Sequence, residues 1–137
     1  MKAMDLQMPN GPRAAPDGGQ APGTHSVVAD VSREIVRIYA RFYGRGPTKA
    51  KTVFHGDVLV TVLEEVFTKA EQVLVNANQF ASVRAQRQAF QDEIEPLFRE
   101  VAERLTGRRV RAFLSQVTEE GVAVEVFLLE PELELSI

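Results

Sequence analysis

The chain has 137 residues, 45% of them apolar and 26% charged, with a net charge of −3 and a pI near 5.4. That is the make-up of an ordinary soluble protein of single-domain length, able to bury about two thirds of its unfolded surface. It gives no overall basic footprint for nucleic acid. The absence of cysteine excludes disulfides, thiolate metal sites and cysteine nucleophiles, and is in keeping with a cytoplasmic protein.

Residues 1–24 hold four Gly, four Pro and all three Met, with almost nothing apolar at regular spacing. Such a stretch cannot bury enough surface to offset the entropy of ordering, so a disordered tail is expected ahead of a single domain over 25–137. The first residues carry Lys2 and Asp5 and no apolar segment, and do not read as a signal peptide. The longest apolar runs, such as Val122–Leu129 with Glu125 inside it, fall far short of the roughly 20 residues of a bilayer span.

From Ser26 the spacing becomes helical, with Val28, Val31, Ile35, Ile38, Tyr39 and Phe42 on one stripe and Asp30, Arg33, Glu34, Arg37 and Arg41 facing away. Gly44 suits the helix end, and Pro47 forbids its continuation. Lys49 to Leu63 then alternates around Gly56-Asp57, the signature of a two-residue hairpin turn with Gly at its first central position. In that register His55, Val58, Val53, Val60, Lys51 and Val62 share one face, and Phe54, Leu59, Thr52 and Thr61 the other. Both faces are substantially apolar, unlike a sheet with one side in water, so a partner subunit is expected to cover the second.

Thr68 followed by Glu71 is a capping box, which predicts a helix start. That helix is expected to break near Asn76 to Asn78, whose side chains compete for backbone hydrogen bonds. A second helix follows on the stripe Phe80, Val83, Arg87, Phe90, Ile94, Leu97, Val101 and Leu105, with a kink at Pro96 and an end at Thr106-Gly107. Val110–Val117, the Glu119-Glu120-Gly121 turn and Val122–Leu129 form a second hairpin. Leu133, Leu135 and Ile137 alternate with glutamates in a tail suited to a sheet edge. The order helix, hairpin, two helices, hairpin defines an α+β domain with a four-stranded, largely antiparallel sheet packed with helices.

No catalytic constellation emerges. His25 and His55 are the only histidines, so a transition-metal site has too few ligands, and no metal or cofactor is expected. There is no GxSxG, and the scattered carboxylates Asp92, Glu93, Glu95, Glu100 and Glu103 read as a solvated helix face paired with Arg99 and Arg104. Gly44-Arg45-Gly46-Pro47-Thr48-Lys49 lacks phosphate-loop spacing and joins helix to strand rather than strand to helix. Arg108, Arg109 and Arg111 lack the aromatic interleaving of a nucleic-acid surface apart from Phe113. The best anion-contact candidates are Arg45 and Lys49, together with Arg84 and Arg87 one helical turn apart. Arg87, on an apolar stripe, must find a carboxylate, a carbonyl or a ligand anion, because an unpaired buried charge is costly.

Read together, the helix through Tyr39 ending in Gly44-Arg45-Gly46-Pro47, the Asp57–Glu64 strand, the Phe67–Leu74 segment, Val83-Arg84 to Arg87, Leu105-Thr106-Gly107 and Val126–Leu129 resemble the MpsC-like family over about residues 26–130. Gly44, Gly46, Pro47, Gly56, Thr68, Glu71 and Gly107 stand as structural motif positions. The resemblance implies an accessory or regulatory partner, without catalytic activity, of a sodium- or bicarbonate-linked membrane-potential-generating system. The expectation is therefore a non-enzymatic cytoplasmic homodimer that contacts a membrane transporter complex without inserting into the membrane or binding nucleic acid. The alternative is a small-anion or nucleotide sensor using Arg45, Lys49, Arg84 and Arg87.

Overall fold

The computed structural model describes residues 22–132, with side chains from Ser26 onward. The expected tail up to residue 21 and the alternating segment after residue 132 lie outside the described residues. Helix α1 (Pro22–Tyr43) begins four residues before the expected Ser26. Proline is accommodated in a first helical turn, where its missing amide would be unpaired and its φ is already helical. Val31, Ile35 and Tyr39 form the inward stripe, each at most 1% exposed. The helix closes where Gly44, at φ +83°, donates back to the Ala40 carbonyl.

Strands β1 (Lys49–His55) and β2 (Val58–Glu64) pair in the register the Gly56-Asp57 turn predicts, His55 opposite Val58 and Thr52 opposite Thr61. Helix α2 (Lys69–Asn76) ends where the asparagines begin, and α3 (Phe80–Thr106) follows after Asn78, which adopts a positive φ. Strands β3 (Val110–Val117) and β4 (Ala123–Leu129) complete an antiparallel sheet of order β1-β2-β4-β3. The layout is the α+β arrangement read from the sequence. Helices α1 and α3 pack against each other and on one side of this sheet.

That one-sided cover explains why both sheet faces are apolar yet differ in burial. Leu59, Leu63, Ala123, Phe127 and Leu129 point inward and are buried. A ladder of rings, Phe98 against Phe113 at 5.6 Å and Phe113 against Phe127 at 5.0 Å, locks α3 onto β3 and β4. The outward positions line up in three rows across the strands: Lys51, Val62, Val124 and Gln116; Val53, Val60, Val126 and Leu114; His55, Val58, Leu128 and Ala112. None of these is buried, and Leu114 is 58% exposed.

The inward stripe of α3 keeps Val83, Arg87, Ile94 and Val101 of the expected one, with Phe80 and Leu105 partly buried, and departs from it at Phe90 and Leu97. Its buried residues are Val83, Arg87, Gln91, Ile94, Phe98, Val101 and Ala102, while Phe90 and Leu97 are 37% exposed. A helix turning once per 3.6 residues places positions 91 and 98 over the sheet. Reading by apolar type passed over Gln91 and chose its apolar neighbour. The helix runs on through Pro96 without interruption.

The β3–β4 turn is pinned by a close approach: Val66 donates to the Gly121 carbonyl at 3.1 Å, and a Cβ on Gly121 would stand 3.3 Å from the Phe67 ring. With φ at +87° as well, Gly121→Ala is expected to lower unfolding stability by about 1–2 kcal/mol, read as a reduced urea midpoint at unchanged slope.

Candidate functional site

The Thr68 capping box has a second role beyond starting α2. Thr68 Oγ1 accepts from the Glu71 amide at 3.2 Å, and Glu71 Oε1 accepts from the Thr68 amide at 2.9 Å. The same carboxylate then receives a two-pronged bond from Arg87 of α3, Nε to Oε2 at 2.8 Å and Nη2 to Oε1 at 2.7 Å. Nη2 also donates to the Val66 carbonyl at 2.8 Å. The guanidinium lies 4.0 Å from the centre of the Tyr43 ring, and Arg87 is 3% exposed. Burial pushes the Glu71 carboxyl up, but the hydrogen bonds from Arg87 and Thr68 outweigh it and hold it below the usual carboxylate range. Burial pulls Arg87 down, and the partnership with Glu71 more than reverses this.

A second buried acid lies on β4. Glu125 is fully buried, across from Thr61 of β2 and Ser115 of β3. Its Oε2 accepts from Tyr39 of α1 at 2.5 Å. Burial raises its carboxyl from an ordinary 4.5 to about 7, against the opposing pull of the Tyr39 and Ser115 hydroxyls and the positive Arg87. Burial, then Glu125, likewise raises Tyr39. Tyr43 is pushed by burial to about 12, with Arg87 and the hydrogen bond from Gln91 working against the rise. Gln91 Nε2 donates to the Tyr43 hydroxyl at 3.1 Å.

Among the described residues, three buried side-chain atoms have no hydrogen-bond partner: Arg87 Nη1, Gln91 Oε1 and Glu125 Oε1. Arg87 and Gln91 line a small cavity of about 10 Å³, together with Tyr39, Arg84, Ser115 and Gln116. That is about the space of one oxygen atom with its hydrogens. The exposed Arg84, Gln88 and Gln116 stand at its rim. Burial favours the protonated form of Glu125, and the cavity is lined by two residues, Arg87 and Gln91, that each carry an unpartnered polar atom.

The structure separates the four anion-contact candidates. Arg84 and Arg87 share the cavity. Arg45 donates to the Phe67 carbonyl at 3.0 Å, next to the Val66 carbonyl that Arg87 holds. Lys49 stands exposed at the start of β1 opposite Glu64, and lines neither the cavity nor that pair of carbonyls. Sequence reasoning placed Tyr39 on the apolar stripe of the first helix and Glu125 inside an apolar run, and gave neither of them, nor Gln91, a functional role. The one available signal was Glu125 itself, a lone charge in the inward row of a strand. Among the described residues no cluster of three or more His, Asp or Glu could hold a metal ion, and no helix is long and apolar enough to cross a membrane.

These features define a two-layer α+β domain with a buried ionisable cluster where helices meet sheet. A family model described as "Na+-translocating membrane potential-generating system (MpsC)" matches residues 24–131. The chain belongs to that family. No curated protein and no solved structure matches it.

Removing one charge of the Glu71–Arg87 pair strands the other in the core. Glu71→Gln is therefore expected to lose about 3–5 kcal/mol in denaturant unfolding, and the double variant with Arg87→Met to recover most of that loss. For Glu125 the folded state keeps a proton that the unfolded chain releases. Its contribution is present in full below an ordinary carboxylate value and is lost as pH rises through about 7. Glu71, with its lowered value, acts in the opposite sense, losing stability only as pH falls. Glu125→Gln is expected to remove a stability decline of roughly 3 kcal/mol between pH 4.5 and above 7, so the variant overtakes the parent in melting temperature on the alkaline side.

Proposed function

We propose that the chain is a non-enzymatic accessory or regulatory protein of a sodium- or bicarbonate-linked membrane-potential-generating system, working in the cytoplasm as a homodimer. Family membership supports the link to such a system. The observation that carries the interaction role is the outer sheet face. Its middle row, Val53, Val60, Val126 and Leu114, is wholly aliphatic, and the polar residues Lys51, Gln116 and His55 sit at the ends of the flanking rows. A row of exposed and half-exposed aliphatic side chains with polar residues at its border has the anatomy of an interface core.

A second reading, a small-anion sensor, is supported by the cavity that Arg84 and Arg87 share. The leading reading is tested by light scattering during size-exclusion chromatography at micromolar concentration, where a dimer is expected. Leu114→Lys changes an exposed side chain in the middle row and should leave circular dichroism and melting intact while yielding a monomer. A monomeric parent contradicts the homodimer. Purification from native membranes with no component of an ion-transport complex attached contradicts the accessory role.

A further inference from the structure

The cavity among α1, α3 and β3 has chemistry more specific than positive charge. Arg87 is 3% exposed and keeps Nη1 unpartnered, so whatever enters must accept a hydrogen bond. Gln91 is 6% exposed and keeps Oε1 unpartnered, because its Nε2 is engaged by the Tyr43 hydroxyl. A group that reaches both atoms must therefore also donate one. The net charge offered is also limited. Glu71 already neutralises Arg87 through two hydrogen bonds, leaving Arg84 at the rim as the uncompensated cation among the lining residues.

We propose that this cavity binds a small monoanionic oxyanion that keeps a proton at neutral pH, with its protonated oxygen seated between Arg87 Nη1 and Gln91 Oε1. The enclosed space of about 10 Å³ admits that single oxygen. The remaining oxygens lie in the open rim, within the reach of Arg84, Gln88 and Gln116. A fully deprotonated oxyanion leaves the Gln91 carbonyl facing a second acceptor, and an unsatisfied buried acceptor is costly. This rests on the small-anion reading and assigns that site its ligand class.

Inorganic phosphate, a mixture of monoanion and dianion that carries an O–H in both forms near neutral pH, and sulfate, a dianion that carries none, have the same tetrahedral shape and test the need for a proton. Isothermal titration of the full chain with each, at matched ionic strength, is expected to show phosphate binding at least about tenfold tighter. Arg84→Gln, at an exposed position, should weaken phosphate binding, and Gln91→Met, checked for an unchanged melting curve, should erase the preference for phosphate. Equal affinity for the two anions overturns the protonated-ligand assignment while sparing the small-anion reading, since Gln91 would then present its amide nitrogen. Binding that is unaffected by Arg84→Gln marks an adventitious ion only and overturns the site. No binding of either anion overturns both.

Discussion

Everything in this domain hangs on one buried bond between charges, the two-pronged contact of Arg87 with Glu71. The carboxylate caps α2 through Thr68 and at the same time fixes the guanidinium of α3, which reaches on to the Val66 carbonyl in the connection from β2. Two helices and the connection from β2 are thus tied together by a single pair of side chains. Two charges withdrawn from water are tolerated because each finds several partners: Glu71 is hydrogen-bonded on both oxygens, and Arg87 also lies over the Tyr43 ring. With Arg87 held there, Tyr43 and Gln91 take their places beside it, and the cavity acquires its donor and acceptor.

The sheet divides the molecule's work. Its inner face is closed by α1 and α3 and contains the ionisable cluster, with Glu125 deepest and joined to Tyr39. Its outer face holds rows of Val and Leu that no described element covers. The buried charges are therefore inward and enclosed, and the sheet's exposed apolar rows are outward. Glu125 lies on the strand whose alternate side chains, Val124 and Val126, belong to the outer face.

Much of this was legible in the sequence because local signals and the global fold agree. The Gly56-Asp57 turn fixed the first hairpin residue by residue, since a two-residue loop admits only one register. The capping box at Thr68 and Glu71 was equally plain. The burial of Arg87 was readable too, from one cation on an apolar stripe, although its partner was not: Glu71 lies 16 residues away and had an explanation already. Gln91 was missed because hydrophobic periodicity reads side-chain type, and Phe90 beside it, half-exposed against the Tyr43 ring, satisfied the pattern instead. Tyr39 and Glu125 are 86 residues apart, and only the folded sheet brings them together.

The most direct test of this account is the exchange of the Arg87 Nε proton with solvent, followed by nitrogen-edited NMR as a function of denaturant. If the pair with Glu71 anchors α2, α3 and the β2 connection, that proton is released only by global unfolding, with a protection free energy equal to that of the slowest core amides. Exchange at a rate close to that of a free arginine, while the core amides stay protected, contradicts it.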